Sequence, residues 1–400
     1  MTLLEQIIKA STNPEAISEP LEYPEIIDAD PLIQNLKPAS ENPDPFSLVQ
    51  PLDGFQISDP DSNFANSGAQ FYANLKSMLK DPKSFSNDSE PFIDMLNSFL
   101  EEIVKKKFGE LGLGLTSADC GAYYCDKLLE KYGFLVGRDV MGLLIEGFVL
   151  LEQWQLLETL IVNKLVDYGL YSELLYNLVV KRRSDLICLC LRHFSDVKAL
   201  DLFRVLKYFL SPSKDAWLSM KKVREEWESQ ALLAIKKATD ASLTGKTLEL
   251  AKHASILLMM AYDGFTLSEL CLHFLVSCNV EEVVFSSAVS KLNAEDMMAL
   301  IRYLGKWLRK YERFPQAVPC PTAEAALGLK MCRWVPKLED VVQCLGLVVD
   351  EHFSSLALHS EFHREVKEIE GIVGSLVSEG RLCCSVANVI EVLKPEAGVA

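Results

Sequence analysis

The chain has 400 residues, 49% of them hydrophobic, which is enough apolar material for two or three ordinary domains or for one elongated helical array. Its formal net charge is -16, so attraction of the whole molecule to nucleic acid or to an anionic membrane is unfavourable. This balance excludes a broadly basic nucleic-acid-binding protein, although a local basic face can still act.

Cysteine usage bears on the cellular compartment. All 11 cysteines follow position 119, and several lie inside apolar helical runs, where a thiol behaves as a small hydrophobe: Cys188, Cys190, Cys271 and Cys344. An odd count without framework spacing, and no apparent secretory leader, predict a reducing intracellular compartment. No stretch reaches about 18 uncharged apolar residues, so we expect no membrane contact.

Residues 1–85 are predicted to be an acidic, Pro-rich and mostly disordered segment. Nine of the 17 prolines fall before position 70, and residues 1–70 carry 12 acidic side chains against two lysines. Proline removes backbone donors and restricts the residue before it, which opposes regular structure. A short helix is predicted over 1–9. Apolar islands at 32–36 and 46–49 are candidates for docking on a partner or on the chain's own body.

From position 71 the apolar pattern is helical, with almost no strand alternation, and it predicts an all-α fold. The expected helices are 69–80, 90–107, 117–131, 138–150, 153–166, 172–180, 184–193, 197–209, 214–237, 247–262, 266–277 and 281–290. Their short connections predict antiparallel helical hairpins stacked into an irregular α-solenoid over 86–314. A Pro-rich break follows at 315–321, and 322–400 is predicted to be a C-terminal helical end that packs on 293–314.

The segment 293–314 carries the most regular pattern of the chain. Its apolar stripe consists of Met297, Leu300, Ile301, Leu304, Leu308 and Tyr311. Asn293 is placed to cap the helix and Pro315 to stop it. The cations on another face, with the neighbouring tryptophan, are predicted to bind a partner: Arg302, Lys306, Trp307, Arg309, Lys310 and Arg313. RNA phosphate, an acidic protein and the chain's own acidic segment are the alternatives, against a merely solvated face. The basic runs 105–107, 181–183 and 221–222 are interpreted as solvated faces.

Motifs for catalysis or metal binding are weak throughout. Thr244 to Thr247 resembles the end of a phosphate-binding loop, but the glycine that such a loop requires is replaced by Asp240, so we predict a helix start. His359 and His363 stand four residues apart without an assignable third ligand. Three further sets of metal-ligating residue types, Cys271 with His273 and Cys278, Cys120 with Cys125, and Cys383 with Cys384, lack metal-site spacing. We predict no catalytic residue, no metal and no cofactor, hence a protein that is not an enzyme.

The segments LIRYLGKWLRKYERF (300–314) and LEDVVQCLGLVVDEHF (338–353) together resemble the C-terminal helical region of the nucleolar protein 11 family. The positions that match are Tyr303, Leu304, Trp307, Leu308, Lys310 and Tyr311, followed by Val348, Val349, Asp350, His352 and Phe353. The resemblance covers about 80 residues, and the N-terminal β-propeller usual in that family has no counterpart here. It implies a non-catalytic scaffold of the small-subunit processome, located in the nucleolus of the nucleus.

The leading hypothesis is therefore an α-helical scaffold of ribosome biogenesis that acts in pre-ribosomal RNA transcription and processing. It would bind protein subunits of a larger complex, with at most indirect or weak contact to pre-ribosomal RNA and no small-molecule substrate. The alternative is an α-solenoid adaptor in vesicle trafficking or ubiquitin-ligase assembly. In the second helix, Val341, Val342, Leu345, Val348, Val349, Phe353 and Leu356 are expected to form one broad buried face.

Overall fold

The computed structural model describes residues 59–80, 90–108, 121–278 and 280–393. Every regular element within these ranges is helical, which confirms the all-α prediction. The chain forms two compact units, residues 1–177 and 178–400, whose boundary lies inside the segment 86–314 predicted as one array. Stacking into a solenoid stays a prediction. The acidic segment up to residue 58, with its predicted helix over 1–9, lies outside the described residues.

The described residues of the first unit form five complete helices and the start of a sixth. They are α1 (Asp59–Lys80), α2 (Glu90–Phe108), α3 (Ala122–Tyr132), α4 (Arg138–Leu150), α5 (Trp154–Val162) and α6 (Tyr171–Val180), with short 3₁₀ turns at Gly133–Leu135 and Tyr168–Leu170. Phe71 of α1 stacks on Phe99 of α2 with ring centroids 3.8 Å apart, and Phe92 meets Phe148 edge-on at 5.7 Å. A methyl group at Gly147 would lie 2.8 Å from the Phe92 ring, so the close approach of α4 to α2 requires glycine there.

Ten further helices lie in the described part of the second unit. They are α7 (Ser184–His193), α8 (Ala199–Leu210), α9 (Trp217–Ala238), α10 (Gly245–Tyr262), α11 (Leu267–Val276), α12 (Glu282–Val289), α13 (Ala294–Arg313), α14 (Ala323–Leu327), α15 (Leu338–Leu358) and α16 (Ser360–Leu393), with 3₁₀ turns at Lys214–Ala216 and Lys330–Trp334. Helix α9 packs against α7, α10 and α11, while α15 and α16 both pack against α13. The core of this unit therefore lies around α9, α11 and α13.

Three successive helices, α4, α5 and α6, end in the same tight turn. Each turn places a non-glycine residue in the left-handed region, Glu152 (φ 56°), Lys164 (φ 55°) and Arg182 (φ 56°). The following N–H groups, of Gln153, Leu165 and Arg183, donate to the carbonyls of Phe148, Leu160 and Leu178 at 2.9, 2.9 and 3.0 Å. These are Schellman helix ends, in which the last orphan carbonyls are satisfied by the turn itself.

Most predicted helix bounds differ from the observed ones by a few residues, and the larger differences have local causes. Helix α1 begins at Asp59, ten residues before the predicted start. The predicted helix 153–166 ends at Val162, because Lys164 turns left-handed. The predicted start at Ser117 lies outside the described residues, and the observed helix α3 begins at Ala122.

The predicted broad apolar face of α15 is wrong in part. Val341 and Val348 are buried, but Val342 is 50% and Phe353 is 66% exposed. The helix is kinked at His352 (φ -116°, ψ 18°), whose ring nitrogen Nε2 donates to the Val289 carbonyl at 2.9 Å. Because the kink changes the direction in which later side chains point, a straight-helix projection does not describe both halves.

The stretch Lys330–Leu358 contains an 18-residue window that is, by length and composition, apolar enough to cross a membrane, with a mean hydropathy of 1.3. The stretch carries charged residues, among them Asp350 and Glu351, so it does not contradict the observation that no run reaches about 18 uncharged apolar residues. The stretch is not one regular helix, because it begins with the 3₁₀ turn and is kinked at His352. Only 22% of the window is buried, and the absence of membrane contact stays a prediction.

Seven of the ten cysteines within the described residues are buried, and none of the ten forms a disulfide. Burial raises the pKa of the Cys125 thiol to about 12 and that of Cys278 to about 11. The thiols of Cys188 and Cys190 are likewise shifted well above the usual range of their pKa by desolvation. Cys383 and Cys384, in contrast, are exposed. Packing explains most of these cysteines, in agreement with their apolar sequence context.

Candidate interaction surface

Helix α13 has the capped start that its sequence predicts. The Asn293 side chain accepts a hydrogen bond from the backbone N–H of Asp296 at 2.8 Å, and the helix ends at Arg313 before Phe314 and Pro315. An asparagine cap satisfies one of the four free N–H groups of a helix start, and acidic residues in the first turn favour the helix dipole. The predicted apolar stripe is buried along the whole helix. Local sequence thus fixes where this surface begins and ends.

The aromatic residues of α13 belong to the core. Trp307 and Tyr303 are both 0% exposed. The Trp307 Nε1–H donates to the Tyr303 hydroxyl at 3.0 Å, and that hydroxyl lies 2.8 Å from Nδ1 of His273 on α11. The other ring nitrogen of His273 lies 2.9 Å from the Ala261 carbonyl. Trp307 was predicted to contact a partner, and this is corrected here, because a fully buried side chain has no surface to offer.

The hydrogen bonds of this chain fix the tautomer of His273. Its Nε2 must carry the proton to donate to the Ala261 carbonyl, so its Nδ1 accepts from the Tyr303 hydroxyl. Burial lowers the pKa of His273 to about 3, since the charged imidazolium would lose its hydration there. Every polar atom along this path has a partner, as a buried network requires. His273 therefore acts as a neutral structural residue of the core.

Two cations of α13 are paired with the C-terminal helix α16. Arg302 Nε lies 3.1 Å from Glu365 Oε1, and Arg309 Nη2 lies 2.9 Å from Glu368 Oε2. The side chains of Arg309 and Glu368 are 47% and 43% exposed and Arg302 is 59% exposed, so each pair contributes little to stability by itself, although Glu365 is only 20% exposed. Between them Ile369 of α16 is buried, with its side-chain carbons 3.5 Å from where a methyl group at Gly305 would lie. The charges thus flank an apolar contact and fix its register.

Lys306 points to the other side, toward α11. Its ammonium lies 2.7 and 2.8 Å from the two carboxylate oxygens of Glu269. Glu269 also accepts from the backbone N–H of Thr266, completing a capping box at the start of α11. Lys306 thereby neutralises a carboxylate whose position is already fixed by the helix start.

Lys310 and Arg313 complete the set. The Lys310 ammonium donates to the Asp263 carbonyl at 2.6 Å and lies 5.0 Å from the centre of the Phe265 ring. Desolvation lowers the pKa of Lys310. Arg313 is exposed, its guanidinium lies 5.4 Å from the Phe314 ring, and within the described ranges no carboxylate forms an ion pair with it. Arg313 is therefore the cation best placed to meet a group from outside.

The basic face of α13 is largely occupied by contacts within the chain. Of the five cations, three face carboxylates of the chain's own α11 and α16 and one binds a backbone carbonyl. The face is a seam that joins α13 to both neighbours, with an exposed outer edge. Contact with the chain's acidic segment lies outside the described residues. Partner binding by the five cations stays a prediction: Arg302, Lys306, Arg309, Lys310 and Arg313. A partner at this face would meet charges that are mostly paired already within the chain.

The glutamates that hold these cations, Glu269, Glu365 and Glu368, were not identified from the sequence. Glu269 carried a usable signal, because a Thr with Glu three residues later marks a helix start. Glu365 and Glu368 form a complementary pair on one helix, but their match to Arg302 and Arg309 requires knowing how α16 crosses α13. Sequence spacing alone does not supply that angle.

The remaining sequence candidates lie in structural settings. The Thr244–Thr247 turn starts α10, with Thr244 at its cap, as predicted. His359 lies at the break between α15 and α16, and its Nδ1 donates to the Ser355 carbonyl, while His363 Nε2 donates to the Ala357 carbonyl, both at 2.9 Å. Within the described residues, no group of three His, Cys, Asp or Glu side chains is arranged to hold a metal ion.

The other basic runs have mostly local carboxylate partners. Within run 105–107, Lys106 pairs with Glu102 at 2.7 Å. Arg182 of run 181–183 pairs with Asp215, and Arg183 pairs with Asp185 at 2.7 Å. In run 221–222, Lys221 pairs with Glu225 at 3.5 Å and Lys222 with Asp185 at 3.6 Å. These pairs agree with the interpretation of the three runs as surface faces.

Two cavities border α13. The larger, about 310 Å³, is lined mainly by apolar side chains such as Ile256, Met259 and Phe314, with Lys310 and Asp263 at its edge. The smaller, about 100 Å³, lies where His352 and His359 meet the start of α13. Neither cavity shows a nucleophile hydrogen-bonded to a base among the described residues.

Comparison of the sequence with protein-family models and with curated proteins found no match. The resemblance to the nucleolar protein 11 family thus depends on the residues quoted above, which the structure places mainly on α13 and α15.

Proposed function

We propose that this chain is a non-catalytic α-helical scaffold of ribosome biogenesis, located in the nucleolus, which binds sister subunits of the small-subunit processome. The resemblance at 300–314 and 338–353 is the first support. The second is the way its residues are used: Tyr303, Trp307 and Tyr311 form the core on which neighbouring helices dock. A scaffold requires motif residues that pack in the core, as these three aromatic residues do. A catalytic motif would instead bring polar groups to a cleft.

The observation that carries the proposal is the exposed apolar surface beside this docking core. On α15, Phe353 is 66% exposed and Leu358 is 81% exposed, while the buried side of the same helix packs on α13. Large exposed side chains next to a rigid core are typical of protein interaction sites. Protein subunits are therefore the favoured partners. With a net charge of -16 and most cations of α13 paired, contact with pre-ribosomal RNA would be indirect or weak.

The proposal is tested by affinity purification of the tagged full-length chain followed by mass spectrometry, together with imaging of its location. We expect processome proteins and a nucleolar signal. Phe353→Ser should reduce their recovery, because it removes an exposed anchor without touching the core. Leu218→Ser, at a position 71% exposed on α9, is the matched control and should leave recovery unchanged.

Charge is tested separately at Arg313, an exposed cation whose reversal breaks no ion pair seen among the described residues. Arg313→Glu should lower recovery if the outer edge of α13 meets an acidic partner. Recovery of vesicle-coat or ubiquitin-ligase proteins in place of processome proteins would support the adaptor alternative and overturn the proposal.

A further inference from the structure

The larger cavity beside α13, about 310 Å³, has the form of a small-molecule site. Ile256 and Met259 line it from α10, and Phe314 lines it from the residue that follows α13. The charged side chains at this cavity, within the described part of the chain, are Lys310 and Asp263. Ligand sites are mostly apolar clefts of about 300 Å³ or more, with a few polar groups that orient the ligand.

The apolar wall determines the size of a suitable ligand. An apolar cavity of about 150 Å³ holds one benzene molecule, so we expect this one to hold a group of about ten carbons. Two methionines, Met259 and Met260, belong to the wall. Methionine is unbranched and polarisable, so it adapts to irregular shapes. The Phe314 ring adds a flat surface on which a second aromatic ring can pack.

Lys310 brings hydrogen-bond donors to the edge of this cavity. Its ammonium donates to the Asp263 carbonyl at 2.6 Å, which uses one of its three N–H groups. The turn that ends α10 positions that carbonyl: Gly264 adopts a left-handed backbone (φ 73°), and a methyl group on it would lie 3.8 Å from the ammonium nitrogen. The fold therefore orients the lysine and leaves two of its N–H groups for a ligand.

The surroundings of this ammonium favour an anionic group on the ligand. The Lys310 side chain is half-buried, and desolvation lowers its pKa because its charge has lost part of its hydration. A carboxylate compensates for that loss with a charge-assisted hydrogen bond. Near the ammonium, the exposed charges of Arg313 and Asp263 have opposite signs, and Lys306 is already paired with Glu269. The charge of Lys310 itself is thus the one left to be matched.

Other ligand classes fit this cavity less well. The backbone offers a cationic ligand few acceptors, because the Met259 carbonyl accepts from the Asp263 N–H and the Lys310 carbonyl from the Phe314 N–H, both at 2.9 Å. A polyanion requires a row of cations, whereas the described lining supplies Lys310 alone. We propose that the cavity between α10 and α13 binds a small apolar carboxylate, whose carbon skeleton packs on Met259 and Phe314 and whose carboxylate accepts from the Lys310 ammonium.

The ligand class is tested by isothermal titration calorimetry of the full-length chain with 2-naphthoate, whose fused rings match the size of the cavity. We expect one molecule to bind per chain with a Kd below about 1 mM. The uncharged 2-naphthamide and the cationic 2-naphthylmethylamine have nearly the same shape, and each should bind at least about tenfold more weakly. Equal or tighter binding of either analogue, or no binding of 2-naphthoate at about 1 mM, overturns the proposal.

The location of the site is tested by two variants and a control, each checked for folding by thermal melting. Lys310→Met removes the ammonium and should weaken 2-naphthoate about tenfold while changing the affinity for 2-naphthamide little. Met259→Glu, at a wall position that is 38% exposed, adds a repelling carboxylate and should abolish 2-naphthoate binding. Lys252→Met, at an exposed lysine of α10 outside the cavity lining, is the matched control and should bind as wild type does. Binding of 2-naphthoate that both Lys310→Met and Met259→Glu leave unchanged would place the ligand elsewhere and overturn the proposal.

Discussion

At the residue scale, His273 shows how one titratable group connects the core of the second unit to pH. Its ring is fully buried between Tyr303 and the Ala261 carbonyl, so it is held neutral and its pKa lies near 3. In the unfolded chain an imidazole binds its proton near pH 6.5. In the folded state the pKa is about 3, so the imidazole binds that proton only at a much lower pH. The stabilisation is therefore complete above about pH 6.5 and is lost as the pH falls.

This linkage gives a numerical expectation. Between pH 7 and pH 5.5, His273 alone should reduce the free energy of unfolding by about 1.3 kcal/mol. The variant His273→Gln should lack this part of the pH dependence, although it is less stable at pH 7. The measurement is urea denaturation at both pH values, with exposed His253→Gln as the control. An equal pH dependence in wild type and His273→Gln would show that the ring is not held neutral by burial.

The ends of α4, α5 and α6 could not be predicted from the residue types in their turns. Glu152, Lys164 and Arg182 each adopt a left-handed backbone that normally selects glycine, so no residue type announced the Schellman ends of α4, α5 and α6. The helix predicted over 153–166 ran four residues too far for this reason. Where a cap was made by the expected side chain, as with Asn293, the start of the helix was predicted correctly.

At the scale of the element, α13 shows which part of a site can be predicted from periodicity. Its apolar stripe and its cationic face both follow from three- and four-residue spacing, and the structure has both. What the cations meet does not follow, because Glu269 and Glu365 lie on helices whose crossing with α13 is decided by packing. The role of Trp307 was misassigned because an aromatic residue beside a basic row can face either the core or the solvent.

Two of the ion pairs of α13, Lys306–Glu269 and Arg309–Glu368, differ in exposure, and this predicts their strengths. The Lys306–Glu269 side chains are 35% and 15% exposed, against 47% and 43% for Arg309–Glu368. A double-mutant cycle should give a coupling energy of about 1 kcal/mol for the first pair and about 0.3 kcal/mol for the second.

Lys306→Met with Glu269→Gln makes the first cycle, since Gln retains an acceptor for the Thr266 cap. Arg309→Met with Glu368→Gln makes the second and acts as the comparison. Free energies of unfolding supply all values. A larger coupling in the exposed pair would contradict the role of burial argued here.

At the scale of the whole molecule, the all-α class was predictable because helical periodicity persists along most of the chain, whereas its division near residue 177 was not. No change of composition marks that position, which falls inside α6. Compact units are defined by contacts between helices distant in sequence, and periodicity carries no information on them. The Pro-rich break at 315–321, by comparison, was visible in the composition.

The exposed end of α16 predicts that the molecule tolerates a specific truncation. A chain ending at Leu376 loses only exposed residues over 377–391, the part of this end whose burial is described, so its free energy of unfolding should change by less than about 0.5 kcal/mol. A chain ending at Arg364 is the control, because it removes Ile369 and the two ion pairs to α13 and should be clearly destabilised. A large loss in the shorter truncation would show that the distal helix is packed.

The buried cysteines give the folded chain a chemical consequence of their own. An alkylating reagent reacts with the thiolate, and the raised pKa values of Cys125 and Cys278 keep both groups protonated at neutral pH. Cys383 and Cys384 stand open on α16 and would be modified at once. Labelling should therefore proceed in two stages, an immediate reaction at Cys383 and Cys384 and a slow reaction at the buried thiols. The rate of the slow stage would report the rate at which the core opens.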